Sequence, residues 1–375
     1  MSTNEKVYIT GKTIHKELEK ISVIGKRNEI VDKLVDSYKL LRHFQVIDAS
    51  KCSHEDLLTF HSSDYVDCLK RYNDADQDCE IPEELQEYGI AYDCPLIENI
   101  FDFMRTIAGT SLAAANSILD GARLAINWHG GWHHAERSSA SGFCYVNDIV
   151  IAIQRLRTKF QKILYIDLDI HHGDGVESAF CFSEYIMTVS FHQHEPGFFP
   201  GTGLVSDIGY GKGKGYTVNA PYSRNISGSM YQFYFNKIAS LAYDAFQPHA
   251  CVVQCGGDVI AGDRLGGANL LPDDGKKCVR TIMNWKIPAM FLGGGGYNAV
   301  NTAKYWTELT AVICNEKLDN DIPDNDFFLN YGPDFVLNIY PTQAVDRNNV
   351  HELSKNISII KGNLDRYVTS AANKK

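Results

Sequence analysis

Ile163-Leu164-Tyr165-Ile166-Asp167-Leu168-Asp169-Ile170-His171-His172-Gly173-Asp174 is the stretch on which the fold turns. Four apolar residues have the length and make-up of a buried strand. They run without a break into aspartates, histidines and a glycine. Other runs have the same form. Ala125–Trp128 leads into His129-Gly130-Gly131-Trp132-His133-His134, and Cys251–Gln254 into Cys255-Gly256-Gly257-Asp258. Ala289–Leu292 leads into four glycines, Tyr297 and Asn298. Val7–Ile9 and Ile186–Phe191 are further apolar runs. Helix-like stretches lie among them at Thr106–Leu119, Val146–Phe160, Ser227–Phe246 and Asn301–Asn315. In the second of these, Ile149, Ile153, Leu156 and Phe160 recur at helical spacing. Strands alternating with helices predict an α/β fold, a parallel sheet with helices on both faces. No repeat or Pro/Gly/Ser linker divides the 375 residues, so residues 1–375 read as one large domain.

Composition narrows the function. Lysine plus arginine number 36 against 46 aspartates and glutamates, a net charge of −10. Duplex binding needs a basic face, so direct DNA binding is not expected. An acidic field instead favours encounter with a cationic ligand such as a lysine-rich peptide. The ten cysteines are scattered without a CxxC pair, which predicts free thiols in a reducing compartment. The N-terminus lacks a signal-peptide core, and no apolar run approaches the ~18 residues of a membrane span. An intracellular protein without membrane contact is expected. Asp74–Glu87 is acidic and reads as a solvated loop with a short helix. The Gly-rich stretch Gly197–Gly215 reads as the wall of a binding site.

Open parallel sheets bind ligands beyond the carboxyl ends of their strands. The four polar clusters therefore converge on one cleft. Asp167, Asp169 and His171 are two apart and share one face of an extended chain. Crowded carboxylates repel and lose solvation unless a cation sits among them. Asp169 and His171 read as metal ligands, with Asp258 from another strand as the third. Three protein ligands leave a coordination position open, the pattern of a catalytic rather than a structural zinc site. Such an ion lowers the pKa of its water toward ~7. His133 and His134 supply imidazoles for acid and base work. Asp167 and Asp174 suit the role of carboxylates that fix an imidazole tautomer. Tyr297, after four glycines, is placed to donate to an oxyanion.

Five long motifs in order carry a family resemblance: GGWHHAERSSASGFCYVNDI (130–149), ILYIDLDIHHGDGVE (163–177), PGFFPGTG (196–203), CGGDVIAGDRLGGANL (255–270) and LGGGGYN (292–298). The chain resembles the zinc-dependent histone deacetylases of class I from about Val7 to Tyr367, leaving short tails. Within the class, KRNEIVDKLVDSYKL (26–40), YDCP (92–95) and IIKGNLDRY (359–367) look most like the type-eight members.

The resemblance implies an arginase/deacetylase fold with a central parallel sheet of about eight strands. It implies hydrolysis of Nε-acetyl-lysine, in histones or other proteins, to lysine and acetate. Asp169, His171 and Asp258 would hold Zn²⁺, and Fe²⁺ suits the same donors. His134 with Asp174 would be the general base and then acid. His133 with Asp167 would act electrostatically, and Tyr297 would polarise the amide carbonyl. Phe143 and Phe199 would flank a tunnel for the lysine stem, with Gly142 on its wall and Leu265 at its rim. Asp93 would grip the substrate backbone. Arg27 and Trp132 would line an acetate pocket. Structural K⁺ would lie near Asp167, Asp169, His171, Ser190 and Phe191, and a second near Phe180, Ser183, Ile186 and Tyr216. Hydroxamate inhibitors, and residence in nucleus and cytoplasm, belong to the same expectation. His129 stands where a small hydroxyl residue is common, and Leu265 matches general class I enzymes rather than the vertebrate type-eight Met. Arginases need a DxHxD pattern, whereas this run is DxDxH. Acetylpolyamine hydrolysis and a catalytically inactive acyl-lysine-binding scaffold are the competing readings.

Overall fold

The structure is a computed structural model that describes residues 5–11, 13–75 and 81–370. Eight strands form one sheet: β1 (Lys6–Thr10), β2 (Gln45–Asp48), β3 (Leu124–Asn127), β4 (Ile163–Asp167), β5 (Ile186–Gln193), β6 (Thr217–Tyr222), β7 (Ala250–Gln254) and β8 (Ala289–Leu292). Their order is β2-β1-β3-β8-β7-β4-β5-β6. Every neighbouring pair is parallel.

Alternation along the strands divides the interior into two layers, because successive side chains point to opposite faces. Leu164 and Ile166 of β4, Val253 of β7 and Phe291 of β8 pack on one face with residues from helices Arg27–Ser37, Gly228–Phe246 and Ala299–Cys314. Ile163 and Tyr165, Val252, Met290 and Leu292 pack on the other with helices Ile100–Leu119 and Asp148–Leu156. Both faces are covered, so the central strands are buried throughout and read as unbroken apolar runs.

The six strand runs of the sequence are all present. The two it did not single out are the sheet edges. In β2, Val46 is 44 % exposed, so no apolar run marks it. In β6, Pro221 interrupts the pattern, which an edge strand tolerates. The helix predicted at Thr106–Leu119 begins earlier, at Ile100, and the one at Val146–Phe160 is shorter, Asp148–Leu156. Asn147 caps the latter by accepting the Val150 N–H. In the acidic segment a short helix spans Glu83–Glu87; residues 76–80 lie outside the described residues. The nine described cysteines are free thiols, and Cys79 falls outside. Among the described residues no helix is long and apolar enough to cross a membrane.

The sheet order explains the convergence of the motifs. Strands β3, β8, β7 and β4 are consecutive neighbours. Their last residues lie level, with Asn127 paired to Leu292, Leu292 to Gln254, and Gln254 to Asp167. Four polar loops therefore leave the sheet side by side.

Candidate active site

The strand β4 stops at Asp167, and the chain beyond it turns instead of extending. Asp167 Oδ1 accepts the N–H of Asp169 at 3.1 Å, and Asp169 Oδ1 accepts the N–H of His171 at 3.0 Å. Each carboxylate caps the peptide two residues on, a local habit of aspartate. The shared face read from strand geometry thus arises from two successive turns. These gather Asp169 and His171, and Asp258 arrives from the loop after β7. One ligating atom from each lies within 4.8 Å of the others. His171 Nδ1 is 3.2 Å from Asp169 Oδ1 and 3.0 Å from Asp258 Oδ2.

All three side chains are buried, Asp258 completely. Burial and then the Asp169 charge push the Asp258 carboxyl above its ordinary range. Burial alone would lower the His171 imidazole, but hydrogen bonds and charge from both aspartates carry it up to about 10. The group therefore draws positive charge into its centre. A divalent ion answers that demand better than a proton, since two carboxylate oxygens and a ring nitrogen are its ordinary donors. The residues present fit such an ion. The outer oxygens are already fixed: Asp169 Oδ2 accepts Gln254 Nε2 at 2.7 Å and the Gly295 N–H at 2.9 Å, and Asp258 Oδ1 accepts the Ile170 N–H at 3.2 Å. Gly256 and Gly295 are required by close approach. A Cβ at Gly256 would strike the Asp169 carboxylate, and one at Gly295 the Asp258 carboxylate.

The paired histidines come from the loop after β3. His133 Nδ1 meets Asp167 Oδ2, and His134 Nδ1 meets Asp174 Oδ1, each at 2.7 Å. The two rings differ in charge. Burial disfavours the His133 imidazolium, yet Asp167 and Asp169 hold it up to about 9. Burial, reinforced by charged His133, pushes His134 down to about 4 despite Asp174. His172, next to His171, turns elsewhere and bonds Thr202 Oγ1 and Glu177 Oε2, both at 2.8 Å.

His171 and His134 border a cavity of about 290 Å³ that is also lined by Asp93, Gly142, Phe143, Phe199, Leu265 and Tyr297. Aromatic rings contribute to its apolar walls. Phe199 stands edge-on to His134 at 4.9 Å, and Phe143 to Tyr297 at 5.8 Å. Phe198, which the sequence reading passed over, stacks on His171 with 5.1 Å between centroids. Leu265 is 44 % exposed at the rim, and Asp93 Oδ2 accepts the Gly142 N–H at 2.7 Å. Burial first, then Asp258 and Asp169, keeps the Tyr297 hydroxyl protonated well above its ordinary range. Behind this lies an inner pocket bordered by Arg27, Trp132, Gly294 and Tyr297. Arg27 is buried over the Trp306 ring and donates Nη1 to the carbonyls of Gly294 and Gly296, both at 3.0 Å.

The residues expected near potassium fall in two places. Asp167 and Ser190 are register partners, with Phe191 next in β5. Phe180 and Ser183 lie in the turn before Ile186, where the Ser183 N–H reaches the Phe180 carbonyl at 2.8 Å, and the Tyr216 carbonyl accepts the Thr188 N–H at 3.0 Å.

A second trio, His15, Asp32 and His129, also brings ligating atoms together. The Asn28 amide NH2 donates to the Trp128 carbonyl at 2.8 Å and turns toward His129 Nδ1 at 3.4 Å. His129 Nε2 faces Asp32 Oδ2 at 3.4 Å. The trio is a carboxylate shared by Tyr8 at 2.7 Å, His15 at 2.8 Å and His129.

Comparison with known proteins gives the family. Residues 22–313 match the family model described as the histone deacetylase domain. The chain is 44 % identical to histone deacetylase 8 of Xenopus tropicalis over 92 % of its own length and 94 % of the relative's. Identity to histone deacetylase 8 of Danio rerio is 42 %, over 98 % and 97 %. Against human histone deacetylase 1 it is 42 %, over 88 % of this chain and 68 % of the relative. The type-eight likeness read from the motifs agrees with these matches, and the chain belongs to the histone deacetylase family.

Proposed function

We propose that this protein hydrolyses the side-chain amide of acetylated lysine, histone tails among its substrates, with Asp169, His171 and Asp258 holding one divalent ion. The observation that carries the reading is the meeting of those three side chains, one of which, His171, borders an apolar cavity together with His134 and Tyr297. An ion bound there would supply Lewis acidity toward a water and toward the amide carbonyl.

The chain's own residues supply the rest. His134 is neutral at physiological pH, so its Nε2 can accept a proton from water while Asp174 holds Nδ1–H. The same nitrogen then hands the proton to the departing lysine amine. His133, held charged beside Asp167, contributes positive field without exchanging its proton. Tyr297 keeps its hydroxyl proton and donates it as a hydrogen bond where carbonyl charge grows. Phe143 and Phe199 exclude water from the lysine stem. Asp93 grips the substrate backbone at the rim, and Leu265 bounds the mouth. Arg27 and Trp132 receive acetate in the inner pocket.

Zinc is the proposed ion, with iron(II) compatible with the same donors. Potassium beside Asp167 and Ser190, and near Tyr216, belongs to the same reading. So do binding of hydroxamates, a single catalytic domain over residues 1–375, and residence in nucleus and cytoplasm. The test is kinetic. Zinc-loaded protein should cleave an acetyl-lysine peptide in preference to acetylspermidine and lose that activity to a chelator. Preference for acetylspermidine would make it an acetylpolyamine hydrolase, and absence of turnover on either would leave a binding scaffold.

A further inference from the structure

Asp263 belongs to none of the ligand, base or tunnel positions above, yet its carboxylate is saturated. Oδ1 accepts the backbone N–H groups of Leu265 at 2.9 Å and Gly266 at 3.0 Å. Oδ2 accepts those of Tyr297 at 2.6 Å and Asn298 at 3.0 Å. The neighbouring Arg264 donates Nε to the Tyr297 carbonyl at 2.7 Å. Asn298 and Asn301 return bonds to the carbonyls of Gly262 and Ala261 at 3.3 and 3.0 Å. Backbone groups on both sides of Tyr297 are thus tied to one short segment.

That tie meets a need. Gly294 and Gly296 precede Tyr297 with φ of 132° and 133°, backbone states that L side chains rarely adopt. Glycine chains are free to move unless fastened from outside. The fastening point is itself fixed, because the rim loop presses on the Asp258 backbone: a Cβ at Gly266 would collide with the Asp258 carbonyl.

We infer that Asp263 is a positioning residue that couples the Tyr297 loop to the Leu265 rim loop, setting the tyrosine hydroxyl beside the ion-binding residues. The inference rests on the reading of Tyr297 as the carbonyl donor. Its chemistry calls for a carboxylate. Four N–H donors need two oxygens, each accepting twice. An amide of the same shape offers one oxygen and turns an NH2 group against two N–H groups.

The experiment uses the full chain loaded with zinc and an acetyl-lysine peptide. Asp263→Asn should lower kcat ~10-fold or more, leave KM within ~3-fold and keep one zinc per chain, as loss of an interaction made in the transition state requires. Combined with Tyr297→Phe, it should cost less than ~2-fold beyond Tyr297→Phe alone, since a residue acting through the hydroxyl has nothing left to position. Arg264→Gln, a gentler change to the same tie, should lower kcat severalfold with the same dependence on Tyr297, and it carries the test if Asp263→Asn does not fold. Unchanged kcat in the folded variants, or effects that multiply in the double variant, would overturn the positioning role alone. Wild-type turnover in Tyr297→Phe would overturn the donor role and the inference with it.

Discussion

His134 Nδ1 and Asp174 Oδ1 stand 2.7 Å apart, the imidazole buried and the carboxylate partly exposed. Asp174 is held below the usual carboxylate range: burial opposes this, but the His134 contacts outweigh it. An ionised carboxylate only accepts, so the imidazole keeps its proton on Nδ1 and leaves Nε2 free. Asp174→Asn lets the ring adopt the other tautomer. Turnover should fall about 10- to 100-fold, the usual effect of losing such a partner, with metal content unchanged. Steady-state kinetics on metal-quantified protein checks this, and wild-type kcat would remove Asp174 from the account.

Tyr297→Phe keeps the ring against Phe143 and deletes only the hydroxyl. Turnover should drop ~10²-fold or more while the ion stays bound, the scale of one lost oxyanion donor. Kinetics paired with elemental analysis separates this from damage to the ion site.

Gly295→Ala tests the crowding around the ligands. Its methyl group would enter the space of the Asp258 carboxylate and approach Asp169. Zinc affinity should weaken by ~10-fold or more, because a displaced ligand alters the coordination set. Competition with a chromogenic chelator reads the change directly.

Acid stability probes Asp32, away from the ion-binding group. Burial would raise this carboxyl, but His129 and His15 hold it well below its ordinary value. A depressed folded-state pKa means that the stabilisation is present above about pH 4, the unfolded value, and fades as pH falls toward the folded one. Asp32→Asn should therefore lower stability by about 2 kcal/mol near pH 6, as for lost hydrogen bonds to a charged group. The gap to wild type should narrow steadily from pH 4 downward. Denaturant melts across that range give the answer, and a constant gap would show that the charge on Asp32 contributes nothing.

The interior of the fold was legible because strands buried on both faces carry unbroken apolar runs, as in Ile163–Ile166 and Ala289–Leu292. The edges were not, since Val46 faces water and Pro221 breaks the run. The convergence of His133, Asp169, Asp258 and Tyr297 followed from a general rule, that loops beyond adjacent strand ends meet. Phe198 and Asp263 escaped notice for different reasons. Phe198 adjoins Phe199, and no spacing rule says which of two consecutive rings stacks on His171. Asp263 acts through backbone N–H groups, which leave no mark in the side-chain pattern; the only signal was a second aspartate in the CGGDVIAGD motif.

Zinc stoichiometry in wild type and Asp258→Ala tests the central claim most directly. After removal of metal and return of zinc, wild type should retain one ion per chain through dialysis and recover deacetylation of an acetyl-lysine peptide. Asp258→Ala, still folded, should retain none and stay inactive. Full activity in metal-free wild type, or an Asp258→Ala variant that keeps its zinc and turns over normally, would contradict it.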